Sequence, residues 1–267
     1  MSPLERRDLL RLAALGAAGS LTAACADGSA RSAAVQPSPV RSTPSAGTAA
    51  AAGSAAPGPA GLPRLAAGLP FEIGTGPRDR PAVALTFHGQ GDPAIAGSLL
   101  AEAERAGARV TVLAVGSWLD EQPQMARRIL DGGHELGNHT QNHGAISTMS
   151  ADDAYQEIAR CAQRLTRLTG TPGRWFRPSQ AQDCTATVAA QARRAGYAHC
   201  LSYDLDSLDY TDPGPDAVTR TVLDAVRPGS VVSLHFGHTG TVAALPAILD
   251  GLHQRGLRAV TTSELLS

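Results

Sequence analysis

The chain has 267 residues, enough for a long leader followed by one domain of roughly 200 residues. A net charge of −1 excludes the broad basic surface that nucleic-acid binding requires, and an aromatic content of 4% leaves few platforms for stacking bases or sugars. The four cysteines, Cys25, Cys161, Cys184 and Cys200, include no C-x-x-C pair, which speaks against a zinc ribbon or a thioredoxin-type motif.

In chain order, residues 1–25 read as an export signal. Arg6 and Arg7 precede Leu9 and Leu10 and a mild apolar run from Leu12 to Ala24, too short for a membrane span. A twin arginine in this setting resembles a twin-arginine export signal, and small residues before Cys25 resemble a lipoprotein cleavage site. A lipid anchor at Cys25 is therefore expected, with an ordinary cleaved signal as the alternative. Residues 26–69, almost wholly Ala, Gly, Pro, Ser and Thr, lack apolar periodicity and read as a disordered linker between membrane and domain.

The folded domain is expected over 70–267. Strands are predicted at 81–87, 110–115, 135–138, 175–177, 199–203, 230–235 and 258–261. Helices are predicted at 94–106 (N-capped by Asp92), 123–131, 151–169 (between Ser150 and Gly170), 185–195 and 242–255. Strands alternating with helices imply a parallel sheet with helices outside, here a distorted (β/α) barrel of about seven strands. Barrel chemistry gathers at the C-terminal strand ends. That rule brings His88, His139, His143, Arg177, Asp206, Asp209, His235 and His238 to one rim. Three cysteines then lie in the domain; Cys184–Cys200 is the favoured disulfide, with three unpaired thiols as the alternative.

The sharpest local motif is Asn138-His139-Thr140-Gln141-Asn142-His143, in which two histidines four positions apart can meet one metal ion. It resembles the second motif of the polysaccharide deacetylases (the NodB-homology family, carbohydrate esterase family four). Phe176-Arg177-Pro178 resembles the third motif, the run ending in Asp209-Tyr210 the fourth, and Val231 to His235 the fifth; the resemblance extends from about Arg80 to Leu266. It implies a NodB-type barrel that removes acetyl groups from N- or O-acetylated cell-wall glycan with a divalent metal, zinc being the usual one. In that scheme His139 and His143 ligate the metal, Arg177 orients the catalytic base, Asp209 tunes His235, and His235 is the general acid.

The first motif of that family is T-F-D-D, and this chain has Thr86-Phe87-His88-Gly89-Gln90-Gly91-Asp92. Three readings follow. Asp92 reaches back to the metal with His88 as base or ligand; or His88, His139 and His143 form a three-histidine site with Asp92 as base; or the site is lost and the protein binds glycan without turning it over. Asp92 is also a good helix N-cap. A small-amide substrate is a further alternative. A cell-wall glycan is the expected partner, with no nucleic acid, membrane contact only through Cys25, an exported location and a monomeric state.

Overall fold

In the computed structural model, which describes residues 61–267, one long buried strand organises the domain. This is β2 (Ala82–Gly89), flanked by β3 (Thr111–Ala114) and β7 (Val231–His235), with β4 (Glu135–Asn138) beyond β3 and β6 (Leu205–Asp206) beyond β7, all parallel. β8 (Arg258–Val260) pairs with Ala82–Ala84, the lower half of the β2 edge that β3 occupies higher up. A small parallel pair, β1 (Glu72–Ile73) with β5 (Cys200–Leu201), joins the arc through single bridges from Phe176 to Asn138 and Cys200. The architecture is the expected α/β distorted barrel; among the described residues its ladder does not close into a continuous ring.

Helices α1 (Pro93–Arg105), α2 (Gly116–Glu121), α3 (Gln124–Asp131), α4 (Ala151–Thr169), α5 (Ala186–Arg194), α6 (Pro215–Ala225), α7 (Thr239–Gln254) and α8 (Thr262–Leu265) complete the domain. None is long and apolar enough to cross a membrane. The strand period of two divides the core. On β2, Val83, Leu85 and Phe87 face the helices, while Ala82 and Ala84 face the barrel interior with Leu113, Trp175, Leu201 and Val231. Burying each large outer side chain stabilises the fold by about 1.5–3 kcal/mol. The same alternation turns Thr86 and His88 inward. It does likewise for His139 after β4, for Arg177 after Trp175, and for Ser233 and His235 after Val231. The interior is thus apolar low down and polar at the C-terminal rim.

The interior also holds a buried carboxyl low down, which sequence reading missed. Glu135 accepts from Trp175 Nε1 at 2.8 Å and from the Ser263 amide at 3.0 Å, and burial raises its pKa. Cys184 and Cys200 form the expected disulfide, and Cys161 is a buried free thiol.

Residues 1–25, Cys25 and most of the expected linker lie outside the described residues. Where the linker is described, the expectation of disorder is corrected. Arg174 Nη1 donates to the Pro63 carbonyl at 2.7 Å, the Ala66 amide donates to Leu266 at 2.9 Å, and Leu65 and Leu69 pack on the inner cluster. These contacts carry the domain back to Pro63, because two leucines supply the apolar area that the Ala/Gly/Pro run lacks. The strand expected at 175–177 is reduced to one bridging residue, Phe176, since Pro178 offers no amide for a ladder.

Candidate active site

Three imidazoles meet at the rim. His88, His139 and His143 each offer one nitrogen, and these atoms lie within 4.8 Å of one another. The His88 and His139 ring centroids are 4.3 Å apart, and those of His139 and His143 4.9 Å.

His139 is oriented by the backbone. A carbonyl only accepts, so Nδ1–H donates to Arg177 O at 3.1 Å, and the lone pair is left on Nε2. Among the described residues that Nε2 is sealed from solvent and has no protein partner. An unpaired buried acceptor is costly unless something fills it. A sealed lone pair beside a second imidazole is the donor set a divalent metal such as zinc takes. His139 and His143 therefore fit a metal ion. Burial pushes both pKa values down, His139 well below the usual range, so both stay neutral and able to ligate near pH 7.

The loop carrying His143 is pinned at several points. Thr140 (φ 67°) and His143 (φ 56°) sit in the left-handed region, which costs about 1–3 kcal/mol per residue. Anchors offset that cost: the Asn142 amide donates to Glu157 at 2.7 Å, the Thr140 amide to Asn138 Oδ1 at 2.8 Å, and Thr140 Oγ1 to Ser179 at 3.0 Å.

Across the rim, His235 stands in register with His88 on the neighbouring strand, with ring centroids 4.3 Å apart. Its Nδ1 donates to Asp209 Oδ1 at 2.7 Å. Asp209 Oδ2 accepts from the His235 amide at 2.8 Å and from Thr241 Oγ1 at 2.7 Å. Burial pushes the Asp209 pKa up, but the bonds from His235 and Thr241 outweigh it and hold the carboxyl below its ordinary value. Asp209 is thus ionised and His235 presents an Nε2 lone pair.

Arg177 is fully buried and, among the described residues, makes no hydrogen bond to a carboxylate. Nε donates to Leu201 O at 2.8 Å, Nη2 to Ser202 O at 3.1 Å and Nη1 to His88 Nε2 at 3.2 Å. Burial lowers its pKa to about 9, which leaves it cationic at neutral pH. Burial also pushes His88 well below the usual histidine range, helped by His139 and Arg177.

The structure brings six of the seven expected site residues together and leaves out Asp92. Asp92 is exposed, and its carboxylate accepts from the Ala94 amide at 2.7 Å as the N-cap of α1. Gly91, at φ 99°, turns the chain away from the cluster before Asp92 is reached. Asp92 as a metal ligand or base is therefore corrected to Asp92 as a cap. Gly89 cannot be replaced by a carboxylate without strain: a Cβ there would lie 2.8 Å from Val112 Cγ1 and 3.1 Å from Ala114 Cα.

These groups open on a cleft of about 430 Å³, lined also by Gln90, Gln180, Gln182, Tyr203, Asp206, Tyr210 and His238. The glutamines carry no pattern visible in sequence. His238 does: with Asp212 it repeats the His235–Asp209 spacing three residues on, and its Nδ1 lies 2.8 Å from Asp212 Oδ1. A larger groove of about 510 Å³ beside α4 and α5, lined by Tyr155 and Arg194 among others, holds none of this chemistry.

A family model described as polysaccharide deacetylase matches residues 75–200. A peptidoglycan-N-acetylglucosamine deacetylase of Bacillus cereus is 32% identical over 194 residues, covering 71% of this chain and 90% of the relative. A chitooligosaccharide deacetylase of Sinorhizobium fredii is 29% identical over 198 residues, covering 66% and 87%. Among solved structures, a CE4 family pseudoenzyme from Bacillus anthracis superposes with a TM-score of 0.70 at 24% identity, covering 74% of this chain and 70% of that one, a likeness of fold alone.

Proposed function

Because the chain belongs to the polysaccharide deacetylase family, we propose that it removes acetyl groups from N-acetylated cell-wall polysaccharide, with a divalent metal ion at His139 and His143. The observation that carries this reading is the sealed, unpartnered Nε2 of His139 beside His143, opposite an imidazole held by a buried carboxylate. Zinc suits an imidazole donor set; when bound, such an ion polarises the acetyl carbonyl and makes water more acidic.

The rest of the chemistry falls to side chains of this chain. Asp209 fixes the His235 tautomer, so Nε2 can take a proton from the attacking water and pass it to the departing nitrogen. The balance is acetic acid and a free amine from water and the amide. Asp209 remains ionised and stabilises the imidazolium between the two transfers. Tyr210, half exposed and edge-on to His235, offers a face to a sugar ring. We place this activity outside the cell, with Cys25 as the lipid anchor.

Metal analysis of the purified chain tests the reading. Near-stoichiometric zinc, lost in His139→Ala, is expected together with acetate release from acetylated chitooligosaccharide or peptidoglycan. A chain that binds no divalent metal at neutral pH sinks it. The tight fit around Gly89, which leaves no room for a carboxylate, favours a second reading, a glycan-binding protein without turnover. Oligosaccharide binding with no acetate release would select that one.

A further inference from the structure

We propose that His88 is neither the general base nor a metal ligand, but a neutral imidazole that accepts from Arg177 at Nε2 and donates its Nδ1–H into the cleft, where it positions a substrate oxygen. The inference deepens the deacetylase reading and rests on it for the identity of that oxygen.

Lone pairs decide the role of His88. A guanidinium has five N–H groups and no acceptor, so in the 3.2 Å contact Arg177 Nη1 donates and His88 Nε2 accepts. A neutral imidazole carries one lone pair and one N–H. With the lone pair given to Arg177, the proton is on Nδ1. Among the described residues that nitrogen has no protein partner, and it is not sealed from solvent, so it opens on the cleft that His88 lines.

A base and a metal ligand each need a free lone pair, and His88 has none left. Ligation through Nε2 would evict Arg177. Ligation through Nδ1 would move the proton to Nε2, where it would face Nη1–H, donor against donor. Among the described residues no other acceptor meets Nη1, and an unpaired buried donor costs about 1–3 kcal/mol, more when charged. A carboxylate at this position could bond the arginine and still hold lone pairs for water, because it has about four acceptor sites. Replacing it by an imidazole therefore reverses the polarity shown to the cleft.

Long-range proton–nitrogen spectra of the full chain with nitrogen-15 histidine test this directly. In the metal-free protein at neutral pH, His88, assigned by its absence from His88→Gln, is expected as the Nδ1–H tautomer. On adding zinc it should stay so while His139 and His143 shift. An Nε2–H tautomer, or a His88 nitrogen that moves to a metal-bound shift, overturns the proposal.

His88→Gln keeps an acceptor for Arg177 and N–H donors for the cleft. Its zinc affinity, measured by chelator competition, should stay within roughly threefold of the parent, against a loss of about a hundredfold or more in His139→Gln. Equal losses in the two variants overturn the proposal. A parent chain that binds no zinc defeats the metal reading instead, and the metal-free spectrum still decides His88.

Discussion

His88 and His235 occupy paired positions on adjacent strands, their rings 4.3 Å apart, and they are held by opposite charges. A buried carboxylate takes the Nδ1–H of His235 and leaves a lone pair facing the cleft. A buried guanidinium takes the Nε2 lone pair of His88 and leaves an N–H facing the cleft. Two identical side chains thus offer opposite chemistry, and the difference comes wholly from what lies behind them. A histidine's role at such a rim is set by its partner, so substitutions at the partners have the largest consequences.

The largest effect is expected at Asp209. Asp209→Asn replaces acceptors by a group that is half donor, so His235 loses the partner for its Nδ1–H and the tautomer can reverse. Acetate release should fall by about 10²–10⁴-fold, with zinc content unchanged. A fall below tenfold would show that the His235 tautomer does not depend on Asp209. The same variant has a signature in folding. The folded Asp209 carboxyl titrates below its ordinary range, so its contribution to stability is full above the ordinary carboxylate pKa and fades as the pH falls through the lower folded value. Acid unfolding of Asp209→Asn, followed by circular dichroism, should lose that part of the slope.

Next in size is Gly89→Asp, which puts a carboxylate next to His88 in the chain, on the face of β2 that meets Val112. The new Cβ would meet Val112 Cγ1 at 2.8 Å and the Ala114 backbone at 3.1 Å, an overpacking worth about 1–3 kcal/mol. Urea unfolding should show that loss, and Val112→Ala should recover only part of it, because the Ala114 contact is backbone. Full stability in Gly89→Asp would mean that β2 and β3 can separate, and the asymmetry between the two histidines would then not be built into the sheet.

How much of this was legible before the structure depends on range. The period of two along Ala82–Phe87 and Val231–His235, and the His139/His143 spacing, are local, and they place five histidines and Arg177 at one rim. The two-residue strands β1 and β6 are too short to show a period, and β1 pairs with a strand more than a hundred positions away, as between Glu72 and Cys200. Helix α6 was missed although Gly214-Pro215 and the Val218/Val222 pair mark it; both valines are buried. Asp92 was two-valued because the same residue type caps helices and ligates metals, and only the turn at Gly91 separates the two. The Arg177–His88 bond spans 89 positions and leaves no mark in either local motif.

The smallest expected effect isolates burial from bonding. His238 and Asp212 repeat the His235–Asp209 pair with the same separation of 26 positions and nearly the same contact, 2.8 Å against 2.7 Å. The Asp209 side chain is 0% exposed, however, while that of Asp212 is 69% exposed. In water the carboxylate is screened and the pair is worth about 0.2–1 kcal/mol, so it holds the His238 ring only loosely. Asp212→Asn should therefore change kcat for acetate release by less than about threefold, with any effect appearing in KM because His238 lines the cleft. If Asp212→Asn lowered kcat as far as Asp209→Asn, the second dyad would share the proton transfers, and the division of labour between donor and acceptor histidines would have to extend to a third imidazole.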